Sequence, residues 1–166
     1  FVVVAAETPC TASAVFTRSR FAGPSVEVSR RHVADGSLQA LVVVSKNANV
    51  ATGAEGLANA EELAVGVAVA VGCAAEDVLV TSTGVIGRQY PMERIRSHLA
   101  QLTGPFTETD AVRVATGMMT TDTFAMNTGS AARAAGTECS YSIFDNAAIG
   151  GLAAATGADG TGTLNA

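Results

Sequence analysis

The chain has no basic stripe, no paired-cysteine motif, no recognisable nucleophile signature and no apolar run long enough to cross a bilayer. Ten Lys and Arg stand against fifteen Asp and Glu, a net charge of −5. Nothing there neutralises a phosphate backbone, which argues against a nucleic-acid partner. The most apolar uncharged run, Leu63 to Ala75, is broken by Gly66 and Gly72 and is too short for a membrane span. It reads as a packed helix. Cys10, Cys73 and Cys139 are odd in number and widely spaced, with no CxxC and no Cys/His cluster. A metal site and a disulfide framework are therefore not expected, and a reducing cytoplasm is the expected compartment. Phe1 to Ala6 lacks the basic start of a secretory leader, and its strand-like character suggests that the chain continues a longer protein. His32 and His98 belong to no triad pattern. His98 reads as a surface residue of a helix, and Cys73 as a small core residue at a helix end.

What is present is apolar: 48% of 166 residues. That suits one domain, residues 1–166, with a sizeable core. Strand-like runs cover Phe1–Ala6, Ser13–Thr17 and, most clearly, Leu41–Ser45, a continuous β-branched stretch of the kind that is buried on both faces of a layered sheet. Val26–Ser29 reads as a third strand or as the entry to a helix. An Ala/Glu-rich helix is expected over about Leu57–Val71. A strand follows at Val78–Thr81. A further helix is expected from Met92 to Leu102, with Ile95, Leu99 and Leu102 on one face and Pro105 preventing continuation. Asp110–Gly117 carries no decisive period. The alternation of strand and helix from Leu41 to Leu102 indicates an α/β fold of layered sheet and helices. Residues 127–166 form a Gly/Ala-rich tail without a clear pattern, and its end reads as a flexible terminus.

The most informative run is Thr81-Ser82-Thr83-Gly84-Val85-Ile86-Gly87. Between an apolar strand and a helix start, a Ser/Thr/Gly turn can aim backbone N–H groups at one point, as an oxyanion site requires. An ordinary strand-to-helix turn has the same composition. Asn47 and Asn49 either line such a site or satisfy backbone groups of their own loop; the second role is expected. The group Arg18, Arg20, Arg30 and Arg31 either meets a substrate carboxylate or makes surface ion pairs, again with the second expected.

Four segments in order resemble the ornithine acetyltransferase family, also called bifunctional glutamate N-acetyltransferase. They are Ala14-Val15-Phe16-Thr17-Arg18-Ser19 leading to Ala22-Gly23-Pro24, Ser45-Lys46-Asn47-Ala48-Asn49-Val50-Ala51-Thr52-Gly53, Ser82-Thr83-Gly84-Val85-Ile86-Gly87, and Met119-Thr120-Thr121-Asp122-Thr123. The third is similar to the family's "STGVIG" at every position. The resemblance implies a fold of N-terminal-nucleophile type, completed by a second chain. Members are made as one precursor that cuts itself before a Thr, and this Thr becomes the nucleophile of the β chain. It takes acetyl from N2-acetylornithine and passes it to glutamate, in arginine biosynthesis. This chain would be the α chain, with Ala166 at the cleavage site, Thr83 and Gly84 as the oxyanion hole, and Thr120 as a substrate-binding hydroxyl. The alternative for Thr120 is a turn capped by Asp122. No cofactor or metal is implied; acetyl-CoA serves as donor in bifunctional members, though nothing resembles a CoA loop. An α2β2 heterotetramer is implied. Departures fall late: Phe124-Ala125-Met126 follows the Thr120 motif in place of the family's "x-P-K", and Thr156-Gly157 stands where members carry Lys-Gly. Two other functions fit the same residues: a related acyltransferase or amidohydrolase of secondary metabolism acting on other N-acyl amino acids, and an inactive chain that binds a ligand or partner.

Overall fold

A computed structural model describes residues 1–104 and 111–119, and the backbone of 152–154. Four strands, β1 (Val2–Ala14), β2 (Ser37–Asn47), β3 (Val78–Val85) and β4 (Leu152–Ala154), form a sheet in the order β3-β2-β1-β4. β1 pairs antiparallel with β2 and with β4, and β2 pairs parallel with β3. The helices are α1 (Pro24–His32), α2 (Gly53–Val71), α3 (Met92–Leu99) and α4 (Ala111–Met118).

The parallel pair needs a crossover, and α2 supplies it. One sheet face, through Val42, Val44, Val78 and Val80, packs on Val28 of α1, Leu63 and Val67 of α2, and Met92 and Ile95 of α3. The opposite face, through Leu41, Val43 and Leu79, gathers Val114 and Met118 of α4. β2 is thus buried on both faces from Ala40 to Val44, as its unbroken β-branched run requires.

Several boundaries differ from expectation. The two strands expected at Phe1–Ala6 and Ser13–Thr17 are one strand that ends at Ala14, and Val15–Thr17 lie beyond it. The polar stretch Glu7–Pro9 makes no turn; it is absorbed in an irregularity of register between Ala5 and Cys10, where a proline without an N–H is tolerated. Val26–Ser29 is helical, because Pro24 opens α1 at its first position and Glu27 lies in its first turn. α2 starts at Gly53, four residues earlier than expected. It stops at Gly72, which takes φ 84° while Gly72 N–H and Cys73 N–H both bond the Ala68 carbonyl. α3 ends at Leu99, and Leu102 only closes a turn onto the Leu99 carbonyl. The undecided segment at Asp110–Gly117 contains α4. The tail expected over 127–166 lies outside the described residues apart from β4.

Candidate functional site

The run that reads as a turn is strand for most of its length. β3 continues through Thr83 and Gly84 to Val85, and the chain bends only at Ile86–Gly87. The reason is its neighbour: β2 also runs on, into the Asn47 loop, and pairs Ser45 with Thr83 and Lys46 with Gly84. The register slips at Lys46/Asn47, and there the two strands end together. The sheet edge therefore presents Thr83 and Gly84 at the carboxyl ends of two parallel strands, a usual place for a ligand in α/β folds.

Gly84 cannot be another residue without movement. Its φ is 133°, and a Cβ there would collide with the Lys46 backbone. Gly84 is exposed, whereas Thr83 is 2% exposed. No hydrogen bond joins the Thr83 hydroxyl to another described residue. The outer tip of the strand carries exposed Val85 and Ile86.

The Asn47 loop holds this edge. Lys46, Asn49 and Ala51 all adopt left-handed φ, at 72°, 48° and 59°, a costly conformation that persists where surroundings enforce it. Here they do. Asn47 Nδ2 donates to the Arg88 carbonyl at 3.1 Å and the Gln89 carbonyl at 2.9 Å, and its Oδ1 accepts from Asn49 N–H at 2.9 Å. Asn49 is fully buried; its Nδ2 donates to Ser25 Oγ at 3.1 Å and to the Gly56 carbonyl at 3.0 Å, and its Oδ1 accepts from the Thr52 hydroxyl at 2.7 Å. A Cβ on Gly56 would strike the Thr52 side chain, so this close approach needs glycine. Gln89 Nε2 closes the loop onto the Thr52 carbonyl at 2.8 Å. Backbone bonds from Ala48 N–H to Val85 O and from Gly87 N–H to Val50 O complete the clasp. The two asparagines thus take the loop-holding role expected of them.

Behind Thr83 the site is polar and buried. Ser25, Ser82 and Tyr90 bring their hydroxyls together at 2.6 to 2.9 Å. Burial pushes the Tyr90 phenol above its ordinary value, opposed in part by the hydrogen bonds with Ser25 and Ser82. Sequence reasoning missed Ser25 and Tyr90, which lie 65 residues apart; a lone Tyr between Gln89 and Pro91 is the only local hint.

Other candidate residues serve different ends. Ser45 Oγ donates to the Gly117 carbonyl at 2.8 Å, so the end of α4 is tied to the register partner of Thr83. Thr120, Thr121, Asp122 and Ala166 lie outside the described residues. Arg31 pairs with Glu61 at 2.6 Å, and Arg30 reaches the Thr17 carbonyl and the Phe16 ring, so these arginines make surface contacts. His32 Nδ1 sits 2.7 Å from the Val78 carbonyl, which can only accept; the ring therefore donates from Nδ1. His98 is exposed on α3 and meets the Phe1 ring edge-on. Cys73 is half-buried and packs against the edge of the core, and burial, helped by Asp77, pushes its thiol up. Among the described residues no cluster of three His, Cys, Asp or Glu is placed to hold a metal ion, and no helix is long and apolar enough to cross a membrane.

The chain is similar to known proteins in sequence and in fold. The family model described as "ArgJ family" matches residues 1–153. Over 123 residues the chain is 56% identical to glutamate N-acetyltransferase Oat2 of Streptomyces clavuligerus, covering 74% of this chain and 31% of the relative. It is 50% identical over 123 residues to an arginine biosynthesis bifunctional protein ArgJ of Nostoc sp., again covering 74% of this chain and 32% of the relative. The chain thus spans about a third of the length of the curated relatives it matches. Among solved structures it is similar to the arginine biosynthesis bifunctional protein ArgJ of Bacillus halodurans, with TM-score 0.69 and 27% identity, covering 98% of this chain and 80% of that one. The ornithine acetyltransferase of Mycobacterium tuberculosis, solved with ornithine, shares the fold at TM-score 0.64 and 23% identity, over 98% of this chain and 82% of that one. With a family model matched over most of its length and relatives at 50–56% identity, the chain belongs to the ArgJ family.

Proposed function

We propose that this chain is the α part of a glutamate N-acetyltransferase that moves acetyl from N2-acetylornithine to glutamate. The observation that carries the reading is the fixed presentation of Thr83 and Gly84 at the sheet edge, within a chain of the ArgJ family. The nucleophile is the N-terminal Thr of a β chain cut from the same precursor. A coverage difference supports two chains: this chain covers 80% of the solved Bacillus halodurans chain but 31% of the curated Streptomyces relative. The solved polypeptide is therefore markedly shorter than the curated one.

The chemistry needs an activated nucleophile, a base and donors for developing charge. The Thr hydroxyl oxygen attacks the acetyl carbonyl carbon while its proton passes to the α-amine of the same residue. The carbonyl oxygen becomes an oxyanion and receives hydrogen bonds from the Thr83 hydroxyl and the Gly84 N–H. Collapse breaks the C–N bond; the departing ornithine amine takes the proton, and acetyl-Thr remains. The amine of glutamate then attacks that ester and regenerates the hydroxyl. Thr120 contributes a substrate-binding hydroxyl. The assembly is an α2β2 heterotetramer in the cytoplasm, and the two steps balance without a metal or cofactor.

Replacing Thr83 by Ala in the full-length protein tests the reading. Losing one oxyanion donor lowers kcat by about a hundredfold or more with little change in KM, and Thr83→Ser keeps most of the rate. Full activity in Thr83→Ala overturns the assignment.

A further inference from the structure

The buried hydroxyls behind Thr83 form a chain of hydrogen bonds whose direction follows atom by atom. The Gly56 carbonyl can only accept, so it faces Asn49 Nδ2 at 3.0 Å, and the amide orientation is fixed. The same Nδ2 donates to Ser25 Oγ at 3.1 Å. At the other end the Ala48 carbonyl can only accept, so the Ser82 hydroxyl donates to it at 3.3 Å. With its proton committed, Ser82 Oγ accepts from Tyr90 Oη at 2.6 Å. Ser25, 2.9 Å from both Tyr90 Oη and Ser82 Oγ, donates to one of them. Every hydroxyl proton is used once. The chain begins at an amide and ends on a carbonyl, so it relays no proton to solvent. What it does is tie four segments together: the start of α1, the Asn47 loop, the end of β3 and the approach to α3.

Ser82 is the covalent neighbour of Thr83, and successive strand side chains point to opposite faces. Clamping Ser82 on one face therefore sets the direction of Thr83 on the other. Tyr90 packs its ring in the core and commits its hydroxyl to this clamp. We propose that Tyr90 is a positioning residue for the Thr83 hydroxyl, acting through Ser82, with Ser25 as its second hold. This rests on the oxyanion reading of Thr83. The raised phenol supports it, because Tyr90 stays a protonated donor through the neutral range.

Tyr90→Phe keeps the ring and removes the hydroxyl. In the full-length protein it is expected to lower kcat about tenfold and leave KM within about twofold, because a misaimed donor affects only the developing oxyanion. The decisive readout is the double variant Tyr90→Phe/Thr83→Ala. If Tyr90 acts through the Thr83 hydroxyl, the double variant is no slower than Thr83→Ala alone. Multiplying losses, or Tyr90→Phe with a rate within twofold of the parent, overturns the positioning role while a slow Thr83→Ala leaves the oxyanion reading standing. A fully active Thr83→Ala overturns both. Should Tyr90→Phe not fold, Ser25→Ala takes its place in the same cycle, with the same results supporting or overturning the role.

Discussion

Replacing Asn49 with Ala is expected to cost the clasp several hydrogen bonds and to add backbone strain at once. The side chain is fully buried and makes three hydrogen bonds, to Ser25, the Gly56 carbonyl and the Thr52 hydroxyl. A neutral buried bond contributes about 1 kcal/mol, and partners left buried without it add to the cost. Asn tolerates its φ of 48° better than Ala, which adds about 1 kcal/mol of strain. The total is about 3–5 kcal/mol, a fall in thermal midpoint of order 10 °C in the intact protein. Asn49→Gly separates the two causes: it loses the same side-chain bonds but accepts the left-handed φ, and is expected to melt above Asn49→Ala. Asn49→Asp keeps an acceptor for Thr52 but turns a carboxylate oxygen toward the Gly56 carbonyl, and is expected to be no better than Ala. Thermal unfolding of the three variants beside the parent decides it. An Asn49→Ala protein within about 1 kcal/mol of the parent would refute the idea that this amide holds the loop.

The same geometry sets three more outcomes. Gly84→Ala must move the Lys46 backbone and adopt a φ of 133°; a loss of at least about 2 kcal/mol is expected, with a lowered kcat, read by denaturant unfolding and steady-state assay. Asn47→Ala releases the Arg88 and Gln89 carbonyls, so the bend after Val85 should become cleavable in limited proteolysis at a protease level that spares the parent. Tyr90 titrates above the ordinary tyrosine value in the folded protein because it is buried. Its contribution is complete below the unfolded value and is lost as pH rises through the raised folded one, so stability measured from about pH 8 to about pH 11 should fall less steeply in Tyr90→Phe than in the parent.

The sheet and its helices were legible where the pattern was long and one-sided. The run from Leu41 to Ser45 reads as a strand from its unbroken β-branched pattern, and the Ala-rich segment from Leu57 to Val71 reads as a helix. Boundaries were harder wherever partners decide them. Thr81 to Gly87 reads locally as a turn, yet pairing with β2 extends the strand through Val85. Phe1–Ala6 and Ser13–Thr17 read as two strands, yet a register irregularity between Ala5 and Cys10 carries β1 from one into the other. At the site, Thr83 and Gly84 stood out through their motif. Ser25 and Tyr90 did not, because a buried hydroxyl cluster assembled from α1, β3 and the approach to α3 leaves no spacing in the sequence.

On the proposed mechanism, acetyl transfer runs through a Thr on a separate chain, and this chain supplies the oxyanion hole. The first part, which is the central one, is tested by the intact mass of each polypeptide after the full-length protein is mixed with N2-acetylornithine and quenched before glutamate is added. Two chains are expected, one beginning with Thr and heavier by one acetyl group, the other unmodified. Turnover by an uncut polypeptide, or acetyl found on the chain that carries Thr83, would contradict the mechanism.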